Sequence, residues 1–541
     1  MKNNKLGIVP EKGEEVNQIE EKIILPKFDY PEIPEEPSEA GLICKTTVVL
    51  DGKGYVTVTE RGALKGDTVA AVVAPAAGNK FKGWYEEGAL VSTENPYVFT
   101  VTGNRAMMAK TTPLTEENKE IKTPSNHVRE GYLLPYEDLS DPNLQATVLA
   151  GESEYLNRSA ILNEGNRALV AKVLEKAKRG EKITVASIGG SITQGALFNG
   201  KDRSFGKITS EWFEETFGIE VENINAGIGS TGSLVGVHRL ETDVLSKNPD
   251  LLLLEFSVND VSSFWSDQPY RETYEAIIRR VLKENIAIIG IIFGSTDAKR
   301  HDYPTHHMDT HTATLFYYDL PIINFYTAFW RYTSNKIIEH YDLDSNGKIT
   351  EKSFTFDGGG HPSVAGHNII GKVIAYYLQD ILTKLENGKV YETEPYFPEK
   401  PLFKNTPFYE NARFYASTRY LNYKIGNPIF NYKDRFIPAI VHGKSDRLGT
   451  GWICVGGKGA IIFEIKGIRS LSLCMMHKTD VSGVYSITIN GKTVRDHVNT
   501  CTLNNVLWPE YCRVFDTPQD VYVTIECHSG VVGFGPIGVG F

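Results

Sequence analysis

The chain has 541 residues, of which 41% are apolar and 23% charged; this is the composition of a soluble globular protein with two to four domains. Its formal net charge of −10, with no dense Lys/Arg stripe, disfavours nucleic acid as a partner. Six cysteines without a C-x-x-C pair indicate neither a disulfide scaffold nor a zinc site.

Residues 1–40 are rich in Glu and Pro and predict a solvated linker or tail. They lack an apolar signal-peptide core. The chain is therefore either cytoplasmic or an extracellular or cell-surface protein whose signal has been removed, and the sequence leaves both open. No apolar run is long enough to span a bilayer.

Residues 41–112 consist of short alternating segments separated by Gly- and Asn-containing turns, which predicts a small all-β module. Its stretch GNKFKGWYEEGALVSTENPYVFTVTGN resembles divergent bacterial β-repeat modules of surface and secreted proteins. We expect Trp84 to be a core residue of this module. Residues 113–150 are polar and predict a linker.

Residues 151–395 alternate apolar strand candidates with amphipathic helices, which predicts an α/β domain with a parallel sheet covered on both faces. The strand candidates are residues 183–188, 221–226, 251–256, 286–293 and 320–325. The last helix is expected over residues 363–386. Residues 396–541 change to alternating aromatic and β-branched segments, which predicts a jelly-roll-like β-sandwich with a carbohydrate-binding or substrate-shaping role.

Polar motifs follow the predicted strands at the points where the strands end. IGGSITQG (188–195) follows the first strand, NAGIGSTGS (225–233) the second and SVND (257–260) the third. DGGGHPSVAGH (357–367) precedes the final helix. Because active sites of open parallel sheets form at the carboxyl ends of the strands, we expect these motifs to meet.

In this order, the four motifs resemble the conserved blocks of the SGNH/GDSL hydrolase superfamily over residues 160–385. The resemblance implies a flavodoxin-like, three-layer α/β/α fold and ester hydrolysis. It puts Ser191 at the nucleophile position, and Asp357 and His361 in the last block. The loop at Gly229 and Ser230 and the side chain of Asn259 correspond to the second and third blocks.

The chemistry of ester cleavage explains why these residue types are needed together. A serine hydroxyl needs a base to take its proton, and histidine, here His361, is the natural base. An acid such as Asp357 on the other ring nitrogen would orient the imidazole. The oxyanion needs preorganised donors, which the Ser191 N–H, an N–H near Gly229 and Ser230, and the Asn259 amide could supply.

Two positions depart from the family pattern. The family usually places its acid three residues before the histidine, but Gly358 occupies that position and Asp357 lies four before His361. A Ser–His–Asp triad and a Ser–His dyad therefore both remain open. The glycine of the second block falls on Ser230, which is tolerable because its contribution is a backbone N–H. The α/β-hydrolase elbow G-x-S-x-G is excluded, since residue 193 is threonine.

Two further segments could suggest metals. Asp342, Asp344 and Asn346 fit positions of a calcium loop, but the twelfth position is Ser353 rather than glutamate, so we treat them as a weak candidate. HDYPTHHMDTH (301–311) is expected to be a loop that shapes the substrate pocket. We expect no cofactor.

The sequence thus predicts a serine esterase that removes O-acetyl groups from a polysaccharide or oligosaccharide. This substrate class, an acetylated carbohydrate, rests on the analogy between the appended β domains and those of bacterial carbohydrate esterases. An SGNH lipase or thioesterase acting on longer acyl chains is an alternative. A non-catalytic glycan-binding surface protein is another, although the presence of Ser191, Asn259 and His361 argues against it. The sugar, the acetyl position and the oligomeric state stay open.

Overall fold

The computed structural model describes three successive parts of the chain. The described residues are 43–76, 78–114, 154–195, 203–260, 269–293, 306–325, 328, 345, 361–389, 391, 394–415, 429–439, 451–454, 457–477, 483–500 and 506–541. We call residues 43–114 the N-terminal module, residues 154–389 the central domain and residues 413–541 the C-terminal sandwich. None of the described helices has both the length and the apolar character needed to cross a bilayer.

The N-terminal module is all-β, as predicted. Its strands are β1 Ile43–Asp51, β2 Gly54–Val58, β3 Gly62–Leu64, β4 Thr68–Pro75, β5 Asn79–Glu86, β6 Ala89–Ser92, β7 Tyr97–Thr100 and β8 Arg105–Pro113. They form one sheet in the order β3-β1-β8-β5-β6 and a second in the order β2-β4-β7. Trp84 is fully buried in the core of this module and donates its Nε1–H to the Glu94 carbonyl at 3.1 Å, so it is a core residue as expected.

The central domain alternates strands and helices. Its elements are α1 Glu154–Ala160, β9 Ile161–Asn163, α2 Ala168–Lys178, β10 Ile183–Gly189, α3 Ser191–Gln194, α4 Phe205–Phe217, β11 Val221–Gly227, α5 Ser233–Asp243, β12 Leu251–Glu255, α6 Ser257–Asp260, α7 Tyr270–Lys283, β13 Ala287–Ile292, α8 His306–Tyr317, β14 Ile322–Asn324 and α9 Val364–Glu386. A short 3₁₀ turn, Leu245–Lys247, follows α5.

The sheet of the central domain has the order β11-β10-β12-β13-β14-β9. Every residue of β10, β12 and β13 is buried, as their predominantly apolar sequences predict for strands covered on both faces. Helix α4 packs with α9, and α5 packs with α7, which gives the two helical layers. The three-layer α/β/α fold is therefore confirmed.

One strand differs from the purely parallel sheet that the sequence predicts. Strand β9 pairs with β14 in the antiparallel direction and forms the edge of the sheet. With only three residues, β9 is too short to show a periodic pattern in the sequence. Asn163 within it donates its Nδ2–H to the Leu320 carbonyl at 2.9 Å, which ties this edge to the start of β14.

The C-terminal sandwich is all-β, as predicted, and its nine described strands belong to one hydrogen-bonded sheet. Its strands are β15 Arg413–Tyr415, β16 Ile429–Asp434, β17 Phe436–Ala439, β18 Gly451–Cys454, β19 Gly459–His477, β20 Gly483–Ile489, β21 Lys492–Asn499, β22 Val506–Gly530 and β23 Gly533–Gly540. The long antiparallel pair β19–β22 runs through the whole unit, with register shifts between Ile465 and Ser470. Residues from both halves of β19, including Phe463 and Leu473, share one core, so the sheet bends around it.

Helix α7 attaches both flanking parts to the central domain. The Glu275 carboxylate accepts the N–H groups of Leu402 and Phe403 at 2.5 and 3.0 Å, which holds the segment leading to the C-terminal sandwich. One turn earlier on the same helix, Arg271 forms a 2.7 Å ion pair with Glu60 of the N-terminal module.

Candidate active site

The turn that carries Ser191 follows β10 through two glycines. A Cβ at Gly189 would lie 2.2 Å from the Glu255 carbonyl oxygen of the neighbouring strand β12. A Cβ at Gly190 would lie 2.1 Å from Nδ2 of Asn259. Glycine is therefore needed at both positions, because the strand end packs directly on β12 and on the Asn259 side chain. The single helical turn α3 then begins at Ser191.

Ser191 faces His361 across the site. Its Oγ lies 2.8 Å from Nε2 of His361, although 170 residues separate the two in sequence. His361 lies just before α9, whose first turn is capped by the Ser363 hydroxyl accepting the Gly366 N–H at 3.1 Å. This cap fixes the start of the helix and the segment that presents His361.

The other predicted acid and metal ligands lie outside the described residues. Asp357 is one of these, so the choice between a Ser–His–Asp triad and a Ser–His dyad stays a prediction. Asp342, Asp344 and Asn346, the weak calcium candidate, are outside as well. Within the part of the chain that the structure describes, no three His, Cys, Asp or Glu side chains are grouped to hold a metal ion.

The predicted oxyanion donors lie around Ser191. An ideal Cβ on Gly229 would be 3.5 Å from Cβ of Ser191, so this loop lies against the serine. Asn259 donates one Nδ2–H to the Thr231 carbonyl at 2.7 Å, which joins it to the same loop. Ser230 has a φ of 58°, the left-handed conformation for which glycine is usual.

The N–H groups of this loop are not equivalent. The Gly229 N–H donates to Oε1 of Gln194 at 2.8 Å. Neither the Ser191 N–H nor the Ser230 N–H has an acceptor among the residues that the structure describes. Two backbone donors and the second amide hydrogen of Asn259 are therefore left to bind an anionic oxygen.

The carboxyl groups of Glu255 and Asp260 are buried beside the turns that carry Ser191 and Asn259. Glu255, at the end of β12, accepts hydrogen bonds from Thr193 Oγ1 at 3.4 Å and Ser257 Oγ at 3.2 Å. Burial raises the pKa of Glu255 to about 7, and the nearby Asp260 adds to the increase, while the hydrogen bonds to Glu255 oppose it. Glu255 thus joins the Ser191 turn to the turn that carries Asn259.

Asp260, next to Asn259, has its own partners. Its Oδ1 accepts the Ser233 N–H at 2.8 Å, and its Oδ2 lies 3.0 Å from Nε2 of His311. The His311 ring stacks on Tyr274 with 3.7 Å between the ring centroids. Asp260 therefore ties the turn α6 to the start of α5 and to α8, which fixes the position of Asn259.

His311 also corrects one expectation. Residues 301–311 were predicted to be a loop, but helix α8 begins at His306. The prediction was wrong for the second half of this segment. Thr310, His311 and the residues after them are buried where α8 packs against α7 and against β2 of the N-terminal module, and this contact stabilises the helix.

Sequence reasoning missed several residues of this site. Gln194, Glu255 and His311 were given no role, and neither was Arg239, a buried arginine behind the two strand ends. Glu255 did carry a signal, since it is a charge that ends the apolar run LLLL. A buried charge needs partners, and such partners are frequent at functional sites.

A separate groove of about 580 Å³ does not belong to this site. Its lining includes Lys172, Lys176, Asp250 and Asn285. Asp250 and Asn285 precede β12 and β13, so the groove opens at the amino ends of the strands, away from Ser191. Sites of open parallel sheets form at the opposite, carboxyl ends.

Comparisons with known proteins agree with this architecture. Residues 187–369 match the model of the GDSL-like Lipase/Acylhydrolase family. The chain is similar to the crystal structure of a two-domain esterase active on acetylated mannans, with a TM-score of 0.56 and 23% identity over 72% of this chain and 98% of that one. The structure of such an esterase co-crystallized with mannopentaose matches with a TM-score of 0.53 and 24% identity, over 72% and 97%. No curated protein matches the chain in sequence.

Proposed function

We propose that this chain, whose residues 187–369 form a domain of the GDSL-like lipase/acylhydrolase family, is a serine esterase that removes O-acetyl groups from a polysaccharide or oligosaccharide. The match to this family supports carboxylic ester hydrolysis by the central domain. The acetyl group and the carbohydrate are the finer part of the proposal. The observation that carries the mechanism is the 2.8 Å contact between Ser191 Oγ and His361 Nε2.

The reaction would proceed through an acyl-enzyme. Nε2 of His361 takes the hydroxyl proton as Oγ of Ser191 attacks the ester carbonyl, and a tetrahedral oxyanion forms. When this intermediate collapses, the sugar hydroxyl leaves with the proton that His361 returns. Water, activated in the same way by His361, then attacks the acetyl-serine and releases acetate. Asp357 or a backbone carbonyl would orient the imidazole.

The oxyanion would be bound by three donors. They are the N–H groups of Ser191 and Ser230 and the free amide hydrogen of Asn259. Gly229 was a predicted donor, but its N–H is engaged by Gln194, and its role in this mechanism is to place Ser230. Preorganised donors of this kind each contribute about 3–4 kcal/mol to lowering the barrier.

The substrate class is supported by the extent of the structural similarity. The matched esterase structure covers 72% of this chain, which is more than the segment matched by the family model, and that esterase is described as active on acetylated mannans. The C-terminal sandwich also reaches the site: Ile228, directly before Gly229, packs against Cys474 and Met476 of the sandwich. We therefore assign the sandwich a substrate-shaping role.

The test is ester hydrolysis by the wild type and by Ser191→Ala, with p-nitrophenyl acetate, butyrate and octanoate as substrates. The wild type should prefer acetate, and Ser191→Ala should lose at least ~10³-fold in kcat/KM because the nucleophile is gone. Ser246→Ala, which removes an exposed hydroxyl that donates to the Thr242 carbonyl, is the matched control.

Acetate release from acetylated mannan, xylan and pectin then addresses the natural substrate. Release from at least one of them, abolished by Ser191→Ala, is the expected result. Preference for octanoate without release of acetate from any polysaccharide would replace the proposal by a lipase or thioesterase. Equal activity of wild type and Ser191→Ala would contradict the role of the serine as nucleophile. It would favour the alternative of a non-catalytic glycan-binding protein.

A further inference from the structure

We propose that Gln194 is a positioning residue: it holds the Gly229 N–H and so presents the Ser230 N–H to the developing oxyanion. The inference rests on the serine-esterase function proposed above. Gln194 lies three residues after Ser191 and ends the turn α3. Its Oε1 accepts the Gly229 N–H at 2.8 Å, across 35 residues of sequence.

A second contact joins the same two segments in the reverse direction. Asn225, on β11, donates its Nδ2–H to the Thr193 carbonyl at 3.0 Å and to the Gln194 carbonyl at 3.4 Å. The segment before Ser230 therefore donates a side-chain hydrogen bond to the Ser191 turn and receives one from it. Such a reciprocal pair fixes the distance between the serine and the loop better than either contact alone.

The loop needs these restraints because Ser230 is strained. Its φ of 58° lies in the left-handed region, which is unfavourable for a residue with a side chain. The Ile228 N–H donates to the Gly189 carbonyl at 3.0 Å before it, and the Thr231 carbonyl accepts from Asn259 at 2.7 Å after it. Between these two hydrogen bonds, Gln194 restrains the loop by accepting the N–H of Gly229, the residue before Ser230.

Without the Gln194 acceptor, the Gly229 N–H has no other partner among the described residues. The Gly229–Ser230 segment can then relax to an unstrained conformation and turn the Ser230 N–H away from Ser191. Because donor geometry matters most in the transition state, the loss should appear in kcat rather than in KM.

The acceptor of the Gly229 N–H is the uncharged amide oxygen of Gln194, and this provides a second test. A glutamate at position 194 keeps an oxygen for the Gly229 N–H but adds a negative charge beside the oxyanion once it ionises. Its effect should therefore be small at low pH and grow as the pH rises through the range in which the carboxyl loses its proton.

The experiment measures phosphonylation of Ser191 by a fluorophosphonate together with p-nitrophenyl acetate hydrolysis. In the labelling step Oγ bonds to phosphorus, the P–F bond breaks, fluoride leaves and the hydroxyl proton goes to His361, so no natural substrate is needed. Gln194→Ala should label and turn over about 10–100-fold more slowly, with KM changed less than about threefold. Gln379→Ala, an exposed glutamine bonded to Thr383 on α9, should behave as wild type.

Gln194→Glu should come closest to the wild-type labelling rate at pH 4, where a carboxyl with an ordinary pKa is still largely protonated, and fall further below it up to about pH 6. Labelling of Gln194→Ala at the wild-type rate, a rise of KM at unchanged kcat, or a Glu-to-wild-type ratio that does not vary with pH would each overturn the proposal. A wild type that labels but releases no acetate from any carbohydrate would defeat the substrate assignment and leave the Gln194 comparison valid. A wild type that does not label at all would overturn both.

Discussion

At the scale of single residues, the pair Gly190 and Asn259 shows how closely the site is packed. Gly190 lies directly against the Asn259 side chain, and a Cβ there would be 2.1 Å from Nδ2 of Asn259. The absence of a Cβ on Gly190 leaves room for the Asn259 amide. Because the Asn259 side chain can rotate away from a Cβ at position 190, we expect a larger residue there to reduce the catalytic rate more than the free energy of unfolding.

The prediction is that Gly190→Ala lowers kcat by about 10²–10³-fold, the effect of losing one oxyanion donor. Its free energy of unfolding should fall by only about 1 kcal/mol, since the loss is one hydrogen bond. Esterase kinetics and urea unfolding of the same preparation measure the two effects. Gly103→Ala, where a Cβ would meet nothing within 4 Å, is the control. Retention of wild-type kcat by Gly190→Ala would remove Asn259 from the oxyanion pocket.

The sequence predicts the residues whose chemistry restricts the choice and misses those whose role depends on geometry. Ser191, Asn259 and His361 each stand in a motif at a strand end or helix start, so their proximity could be expected. Gln194 could not be recognised, because its partner is a backbone N–H in a loop that comes close only after β10 and β11 pair. Asp357 stays a prediction, since it lies outside the described residues.

At the scale of secondary-structure elements, helix α5 holds the two strand ends that carry the site. Arg239 of this helix is buried and donates to the Ala226 carbonyl at 2.5 Å and to the Gly189 carbonyl at 3.1 Å. It also forms a 3.1 Å ion pair with Asp243, one turn later. One guanidinium thus connects the ends of β10 and β11 to the helix that packs on them.

Replacing Arg239 by Met, which keeps an elongated apolar stem, should destabilise the protein by about 3 kcal/mol. The loss arises because the Ala226 and Gly189 carbonyls and the Asp243 carboxylate each lose a charged donor in a buried place, although Gly189 keeps the Ile228 N–H and Asp243 keeps the Thr242 hydroxyl. Urea unfolding followed by tryptophan fluorescence gives the change. Arg203→Met removes an exposed 3.1 Å ion pair with Glu211 and should cost less than about 1 kcal/mol. Similar losses in the two variants would contradict the buried role of Arg239.

The longer strands of the sheet were predictable from sequence. The candidates 183–188, 221–226 and 251–256 end within one residue of β10, β11 and β12. β10 and β12 are buried strands rich in apolar residues, whereas β11 is a largely half-buried edge strand. The side of the sheet that ends in β9 was less predictable: β14 covers only the middle of candidate 320–325, and β9 was not found. The start of α8 was missed because polar residues begin it, and its burial depends on contacts made by other parts of the chain.

At the scale of the whole molecule, the C-terminal sandwich supports the loop that carries the oxyanion donors. Ile228 and Val235 of the central domain share a buried apolar cluster with Cys474 and Met476 of the sandwich. The sequence predicts both units but contains no signal for this contact. The partners lie more than 200 residues apart, and the apolar pattern of each unit is already explained by the core of that unit. The domain boundaries drawn from the composition likewise remain predictions.

The second contact of this interface is His238, and it makes the interface sensitive to acid. The ring donates its Nδ1–H to the Leu234 carbonyl at 2.7 Å and stacks on Phe414 with 4.9 Å between the ring centroids. Burial lowers the pKa of His238 to about 4; the hydrogen bond to Leu234 opposes this, and the charge of Arg280 adds to it. The folded protein therefore binds fewer protons than the unfolded chain between pH 4 and pH 6.5.

The free energy of unfolding therefore rises with pH between pH 4 and pH 6.5, and it decreases as the pH falls through this range. For a folded pKa of about 4, the free energy of unfolding should drop by about 2 kcal/mol between pH 7 and pH 5 because of this histidine. His238→Asn keeps a donor for Leu234 but cannot titrate, so its stability should lack that part of the pH dependence. Urea unfolding at pH 7 and pH 5 measures the difference, and His497→Asn, which removes an exposed histidine, should follow the wild type. If His238→Asn lost as much stability in acid as the wild type, the acid sensitivity would have to arise elsewhere in the molecule.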